Sequence, residues 1–337
     1  MYDLIIVGAG PVGLYLAGLL KKYKILILEE HEKIGSPVHC SGLISSNLKK
    51  FVKMNKTFIE NKVNSAVIHC KKSKVELKPR EEVYVINREK FDSCLANVKS
   101  NIFLGAKAEE IEIKKENVMV KTNKGIFKSK LLIGCDGANS IVAKKINSRP
   151  KEILLGLIGI VEEENYSDFV EIFIDKEKIF DGFFWKIPRG ETTEYGCFGK
   201  KVNFKLLEEF FKIKDYKKRA GLIPIGPGKT YFHRTLLIGD SAGFSKPWSG
   251  GGIIYGFTAA KIAAKTISMT FEKNKFNEKF LRNYEKEWKK ILWKNIKLGL
   301  LCREIYKKMN NTQINFFLKI LQKMKFVNKL DMDFLFT

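Results

Sequence analysis

Long apolar runs are what this 337-residue chain lacks first. No stretch approaches the roughly 20 residues that cross a bilayer, so no membrane-spanning helix is expected. The N-terminal run, Leu4 to Val7, follows Asp3 directly and is too short for a secretory h-region. Cysteine is sparse and scattered. Cys40, Cys70, Cys94, Cys135, Cys197 and Cys302 form no CxxC pair, and His31, His39, His69 and His233 fall at no metal-binding or catalytic spacing. Reduced thiols in a cytoplasmic protein without a metal are therefore expected. Repeats, heptads and low-complexity tracts are missing too. Arginine is scarce: it supplies eight of 61 basic residues, leaving 53 Lys against 37 acidic residues and a net charge of +24. That excess points to an anionic partner such as nucleic acid, a phosphate-bearing substrate or an anionic lipid surface, and does not choose among them. With 45% hydrophobic and 29% charged residues the composition is globular and excludes disorder. The length suits two interleaved domains.

What is present begins at residue 4. Leu4-Ile5-Ile6-Val7 reads as a strand buried on both faces. It runs into Gly8-Ala9-Gly10-Pro11-Val12-Gly13, a GxGxxG, then an amphipathic helix over 14–22 and a second buried strand over 24–28. Glu29 closes that strand, 21 residues after Gly8. Here Gly8, Gly10 and Gly13 allow a tight turn, the helix N-terminus receives a pyrophosphate, and Glu29 accepts from a ribose hydroxyl. FAD and NAD both use this arrangement.

Two later segments separate them. Leu131 to Gly134 is a buried strand entering Cys135-Asp136-Gly137-Ala138-Asn139-Ser140, and Thr235 to Ile238 is another, ending in Gly239-Asp240-Ser241-Ala242-Gly243. Pro247 and Gly250-Gly251-Gly252 then open an apolar helix at Ile253. These turns resemble the DG and GD motifs of the hydroxylase branch of glutathione-reductase-like flavoproteins, over residues 1 to about 270. That resemblance implies FAD, with Asp136 and Asp240 in the cofactor site and the helix N-terminus at Gly252 and Ile253 facing the electron-rich edge of the flavin, where positive helix-end charge is stabilising.

Two segments are unlike generic flavoproteins. Pro37-Val38-His39-Cys40-Ser41-Gly42 follows the ribose acid, and Phe183-Phe184-Trp185-Lys186-Ile187-Pro188 sits in a strand-rich region. Together they resemble the PxxCxG and aromatic-x-Trp-x-x-Pro patterns of the geranylgeranyl reductase family, FAD-dependent enzymes that saturate isoprenoid chains, including those of archaeal membrane lipids. Phe183 stands where better-known members have Tyr, and Ile187 where they have Phe. The resemblance implies that Cys40 lies beside the flavin and matters for reduction, and Cys40 is expected to be the catalytic proton donor or to position it. It also implies cofactor contacts from Cys40, the backbone of Ser41 and Leu43, Arg88 and the backbone near Ala108, with substrate contacts from Phe183, Trp185 and Pro188. A guanidinium fork at Arg88 suits phosphate oxygens.

The expected architecture is α/β: a glutathione-reductase-like FAD-binding Rossmann fold, an antiparallel β-sheet substrate domain and a helical C-terminus. The expected segments are 1–150 and 229–270 for FAD, 151–228 for substrate, with a charged helix over 204–220, and 271–337 as a basic helical tail. That tail holds 16 Lys or Arg and seven Asp or Glu, with Trp288, Ile291, Leu292, Ile296, Leu300, Leu301, Ile305 and Met309 at helical spacing. It reads either as a helix docked on the flavin domain or as one lying in a membrane interface. The implied partners are a polyprenyl lipid or diphosphate, an electron donor such as ferredoxin or NAD(P)H, and peripheral contact with the inner membrane face. A flavin monooxygenase on an apolar substrate is the competing enzyme. A basic flavoprotein binding nucleic acid is the competing class, though no RNA-binding motif is present.

Overall fold

The apolar run at the N-terminus becomes the strand Tyr2–Val7, in which Leu4, Ile5 and Ile6 are fully buried. It lies parallel to Ile25–Leu28 on one side and to Gly125–Gly134 on the other. Burial on both faces is what a central parallel strand requires, and the aliphatic sequence supplies it. The computed structural model describes residues 1–71, 73–79, 81–323 and 331–334. The remainder of the basic tail, 324–330 and 335–337, lies outside the described residues.

Contacts group Met1–Val38, Glu89–Ile153 and Pro224–Lys297 into one unit, and His39–Arg88, Leu154–Ile223 and Leu298–Thr337 into a second. Residues 39–88, expected within the 1–150 flavin segment, group with the second unit. The 271–337 tail divides at Leu298. The first division follows which sheet the strands join, and the second falls within the helix Glu278–Lys308, so local periodicity carries no mark of either.

The first unit is built on a sheet ordered 231–232, 235–237, 125–134, 2–7, 25–28 and 101–103, with the hairpin 108–113/118–122 extending from Gly125–Gly134. The chain leaves Tyr2–Val7 toward one edge and returns on its other side. The C-terminal end of that strand is thus a topological switch point, where open α/β sheets bind ligands. The helices Pro11–Leu19 and Ile253–Glu272 pack through Tyr15 and Phe257, whose rings stack at 4.3 Å. The long helix Glu278–Lys308 buries Leu281, Tyr284, Trp288, Leu292 and Ile296 along one seam. The Trp288 indole donates to Thr230 Oγ1 at 2.9 Å and the Tyr284 hydroxyl to the Leu237 carbonyl at 3.0 Å. Its first part is therefore a docked helix. Ile291, Leu301 and Ile305, expected in the same stripe, fall off that seam and are half exposed or more.

The second unit carries a seven-stranded sheet ordered 217–225, 152–161, 193–199, 183–188, 169–174, 65–70 and 73–77, and a three-stranded sheet of 43–45, 83–86 and 59–63. In the larger sheet 152–161 with 193–199, 193–199 with 183–188, 183–188 with 169–174 and 65–70 with 73–77 pair antiparallel, while Phe169–Ile174 and Ser65–Cys70 pair parallel. The helix expected over 204–220 is shorter: it spans Phe204–Phe211. Asn203 caps its start, accepting from Leu206 N at 2.8 Å, and Lys212 ends it in the left-handed region at φ 55°. Residues Lys217–Ile225 form an edge strand instead, where Pro224 costs no interior ladder bond. The charges of Lys217, Lys218 and Arg219 had mimicked a solvated helix face.

Candidate flavin site and the Cys40 loop

The glycine turn does what its spacing requires. Gly8 takes φ +99°, and a Cβ there would lie 2.3 Å from the Cys135 carbonyl oxygen. Gly13 lets the helix start against the turn, since its Cβ would sit 2.2 Å from the Gly8 carbonyl oxygen. Gly10 differs: a Cβ there meets nothing within 4 Å. Open space at the N-cap of a helix with Pro11 in its first turn and no side-chain cap is a cradle for an anion. Glu29 is turned into this loop. One carboxylate oxygen accepts from Ala9 N at 2.7 Å, and the other from His31 N at 3.0 Å with His31 Nδ1 at 2.6 Å. His31, given no role by sequence, holds the Glu29 carboxylate in place.

Asp136 is occupied locally. It accepts from Ser140 Oγ at 2.6 Å and Val142 N at 3.2 Å, capping the short helix Ile141–Lys145. Burial holds its carboxyl above the usual carboxylate range, with Ser140 and the helix amides opposing. Burial likewise pushes the neighbouring Cys135 thiol up. Asp240 accepts from Ser245 Oγ at 3.3 Å, and a Cβ on Gly252 would lie 2.7 Å from its Oδ1. Among the described residues no side chain caps the 20-residue helix beginning at Ile253. Its first-turn amides and the Asp240 carboxylate thus share one corner, which suits a ribityl chain and an electron-rich ring edge. Ala108 opens the strand Ala108–Ile113 in the same unit. The uncapped helix starts and the Gly10 opening fit FAD.

In the second unit the Cys40 loop is held by backbone geometry. Gly42 takes φ +71°, and a Cβ there would lie 2.2 Å from the Ile86 carbonyl oxygen. Ile86 N donates back to the Gly42 carbonyl at 2.9 Å, and Gly42 N donates to Cys40 Sγ at 3.4 Å. His39 Nδ1 lies 2.5 Å from the Ala220 carbonyl, tying the loop to the edge strand. Cys40 itself is half-buried. Leu43 begins the strand Leu43–Ser45 and packs with Trp185 against Val63, Val83, Val85, Val170 and Ile187. Arg88 starts the helix Arg88–Leu95.

The strand Phe183–Pro188 sorts its aromatics by parity. Phe184 points into the core at 0% exposure and stacks on Phe210 at 3.8 Å. Phe183 and Trp185 take the other face, with Phe183 edge-on to Phe198 at 4.7 Å. Trp185 lies across Gly196 of the neighbouring strand and donates from Nε1 to Glu194 Oε1 at 2.8 Å. Pro188 ends the strand, and its carbonyl accepts from Asn61.

Sequence reasoning missed a buried ionic cluster beside these residues. Arg189 is 8% exposed and Glu194 fully buried, 2.7 Å apart, with Glu60 Oε2 2.5 Å from the other guanidinium nitrogen. Burial alone would lower the Arg189 guanidinium, but Glu194 and Glu60 outweigh it and raise it. Burial raises the Glu194 carboxyl, with Arg189 and the Trp185 indole opposing. One signal was available. Glu194 sits in Thr193–Gly199, a strand otherwise reading as buried on both faces, and a charge there needs a partner. Among the described residues no cluster of His, Cys, Asp or Glu is arranged to hold a metal.

The fold and the glycine cradles define an FAD-dependent oxidoreductase of the glutathione-reductase-like class. No family model matches the chain. It is 33% identical to an uncharacterised protein of Methanocaldococcus jannaschii, over 98% of this chain and 90% of that one. It is 28% identical to the digeranylgeranylglycerophospholipid reductase of the same organism, over 94% and 89%. In structure it is similar to a geranylgeranyl bacteriochlorophyll reductase-like protein of Thermoplasma acidophilum, with a TM-score of 0.88 at 21% identity, covering 96% of this chain and 92% of the other. The chain thus resembles digeranylgeranylglycerophospholipid reductases over most of its length.

Proposed function

We propose that the protein saturates isolated carbon–carbon double bonds of geranylgeranyl or other polyprenyl chains during archaeal membrane lipid biosynthesis. The observation that carries this reading is the joining of the Cys40 loop to the Trp185 strand in a chain that also has a complete FAD cradle. FAD, held at the Gly10 and Ile253 helix starts, would supply in its reduced form a hydride for one alkene carbon. The proton for the other carbon comes from the Cys40 thiol, and water reprotonates the sulfur afterward. Because an unactivated alkene has no polar handle, alignment must supply much of the rate. The flat apolar surfaces of Phe183 and Trp185 provide that alignment and exclude water. Only one dinucleotide fingerprint is present, so electrons arrive from NAD(P)H bound transiently or from a small carrier such as ferredoxin.

A lipid substrate brings the enzyme to a membrane surface. No helix among the described residues is long and apolar enough to cross one. The helix Asn311–Lys323 exposes Phe316, Phe317 and Ile320 beside Lys319, an apolar and basic face suited to an anionic interface. Expression in a host that makes unsaturated archaeol-type lipids tests both parts. Lipid mass spectrometry should show saturation in steps of two hydrogens, and the protein should leave the membrane fraction at high salt. Unchanged lipids alongside folded, flavin-loaded protein would refute the reductase assignment.

A further inference from the structure

We propose that Arg189 is a positioning residue that sets the Cys40 loop and links it to Trp185. Its guanidinium donates from Nη1 to the Ser41 carbonyl at 2.5 Å and from Nη2 to the Ile86 carbonyl at 3.1 Å. These two carbonyls bracket Gly42, the residue whose amide donates to the Cys40 sulfur. Moving the Ser41 peptide therefore moves the thiol. On its other side Arg189 holds Glu194, which receives the Trp185 indole N–H. A line of polar contacts thus runs from the indole through Glu194 and Arg189 to the peptide beside Cys40. Its centre, where Arg189 meets Glu194 and the Ile86 carbonyl, is buried, so those contacts are stronger than they would be in water.

Only arginine meets the geometry. The site asks for a planar fork serving two carbonyls and two carboxylates, and an ammonium on a flexible stem offers three donors without the fork. Arg189 and Glu194 lie five residues apart, while Ser41, Glu60 and Ile86 are distant in sequence. The fork therefore fixes parts of the chain that pairing within one sheet leaves independent.

The test uses flavin-loaded Arg189→Lys and Arg189→Ala proteins. The rate at which iodoacetamide alkylates Cys40, read by peptide mass spectrometry, should change about fivefold or more in Arg189→Lys, with exposed Cys94 as an unchanged internal reference. Turnover should fall roughly tenfold, with KM for the lipid within about twofold, as expected when geometry rather than substrate binding is lost. Methylguanidinium should restore part of the activity of Arg189→Ala. Alkylation and turnover within about twofold of wild type in Arg189→Lys would overturn the proposal, as would loss of activity in Arg189→Ala that methylguanidinium does not relieve. The turnover part rests on the assignment of Cys40 as proton donor. Should Cys40→Ala retain full turnover, that assignment fails, while an altered Cys40 alkylation rate in Arg189→Lys still supports the positioning role.

Discussion

Gly10→Ala should weaken FAD binding by about 10- to 100-fold while leaving the stability of the apoprotein unchanged, a loss of roughly 1.4–2.8 kcal/mol in affinity. The two effects separate because of where the added methyl would go. Gly10 has φ −69° and ψ 175°, extended backbone that alanine adopts freely, and a Cβ there touches no protein atom within 4 Å. The added methyl therefore meets no protein atom, and would intrude only on a pyrophosphate seated at this helix end. Gly13→Ala should behave differently. Its Cβ would lie 2.2 Å from the Gly8 carbonyl oxygen, so the turn must move whether or not cofactor is bound, at about 1–3 kcal/mol of stability. Flavin fluorescence titration and urea unfolding of both apoproteins measure the pair. Gly10→Ala binding FAD as tightly as wild type would remove the cofactor from that helix end.

Phe184→Ala should destabilise the second unit by about 3–5 kcal/mol, the usual cost of deleting a fully buried aromatic. Phe184 stacks on Phe210 at an interplanar angle of 4° and meets Phe211 edge-on, within a cluster that includes Leu157, Ile179, Cys197 and Leu207. Little in that cluster can collapse into the hole, because the sheet fixes one wall and the helix Phe204–Phe211 the other. Phe183→Ala, one residue earlier on the opposite face, should cost less stability and raise KM for the lipid instead. Urea denaturation followed by near-ultraviolet circular dichroism, alongside steady-state kinetics, separates the two. A larger stability loss for Phe183→Ala than for Phe184→Ala would contradict the division of the strand between the Phe184 core face and the proposed substrate face.

That division also shows what sequence could and could not convey. The apolar, aromatic run Phe183–Pro188 made a strand legible, and the glycine turn after Val7 declared a nucleotide fold, because both signals lie within a few neighbouring residues. The helix Ile253–Glu272 was legible for the same reason. The Arg189 cluster was not, since its members come together only when two sheets form around them. The same holds for residues 39–88, whose membership of the second unit depends on Ser65–Cys70 pairing with Phe169–Ile174. Residues 217–220, expected as the end of a helix, fall in an edge strand, because exposed lysines decorate an edge strand as readily as a helix. Asp136 was foreseen as a flavin contact on its motif, and its carboxylate is committed to the helix beginning at Ile141.

Anaerobic reoxidation tests the central claim most directly. Enzyme reduced chemically in the strict absence of oxygen is mixed with a geranylgeranyl lipid, and the visible absorbance of the flavin is followed while products are collected for mass spectrometry. Reduction of a double bond predicts that the oxidised spectrum returns without oxygen, with product heavier than substrate by two hydrogens per turnover. A flavin that stays reduced until oxygen is admitted, with product gaining an oxygen atom, would contradict the account and make the protein a monooxygenase.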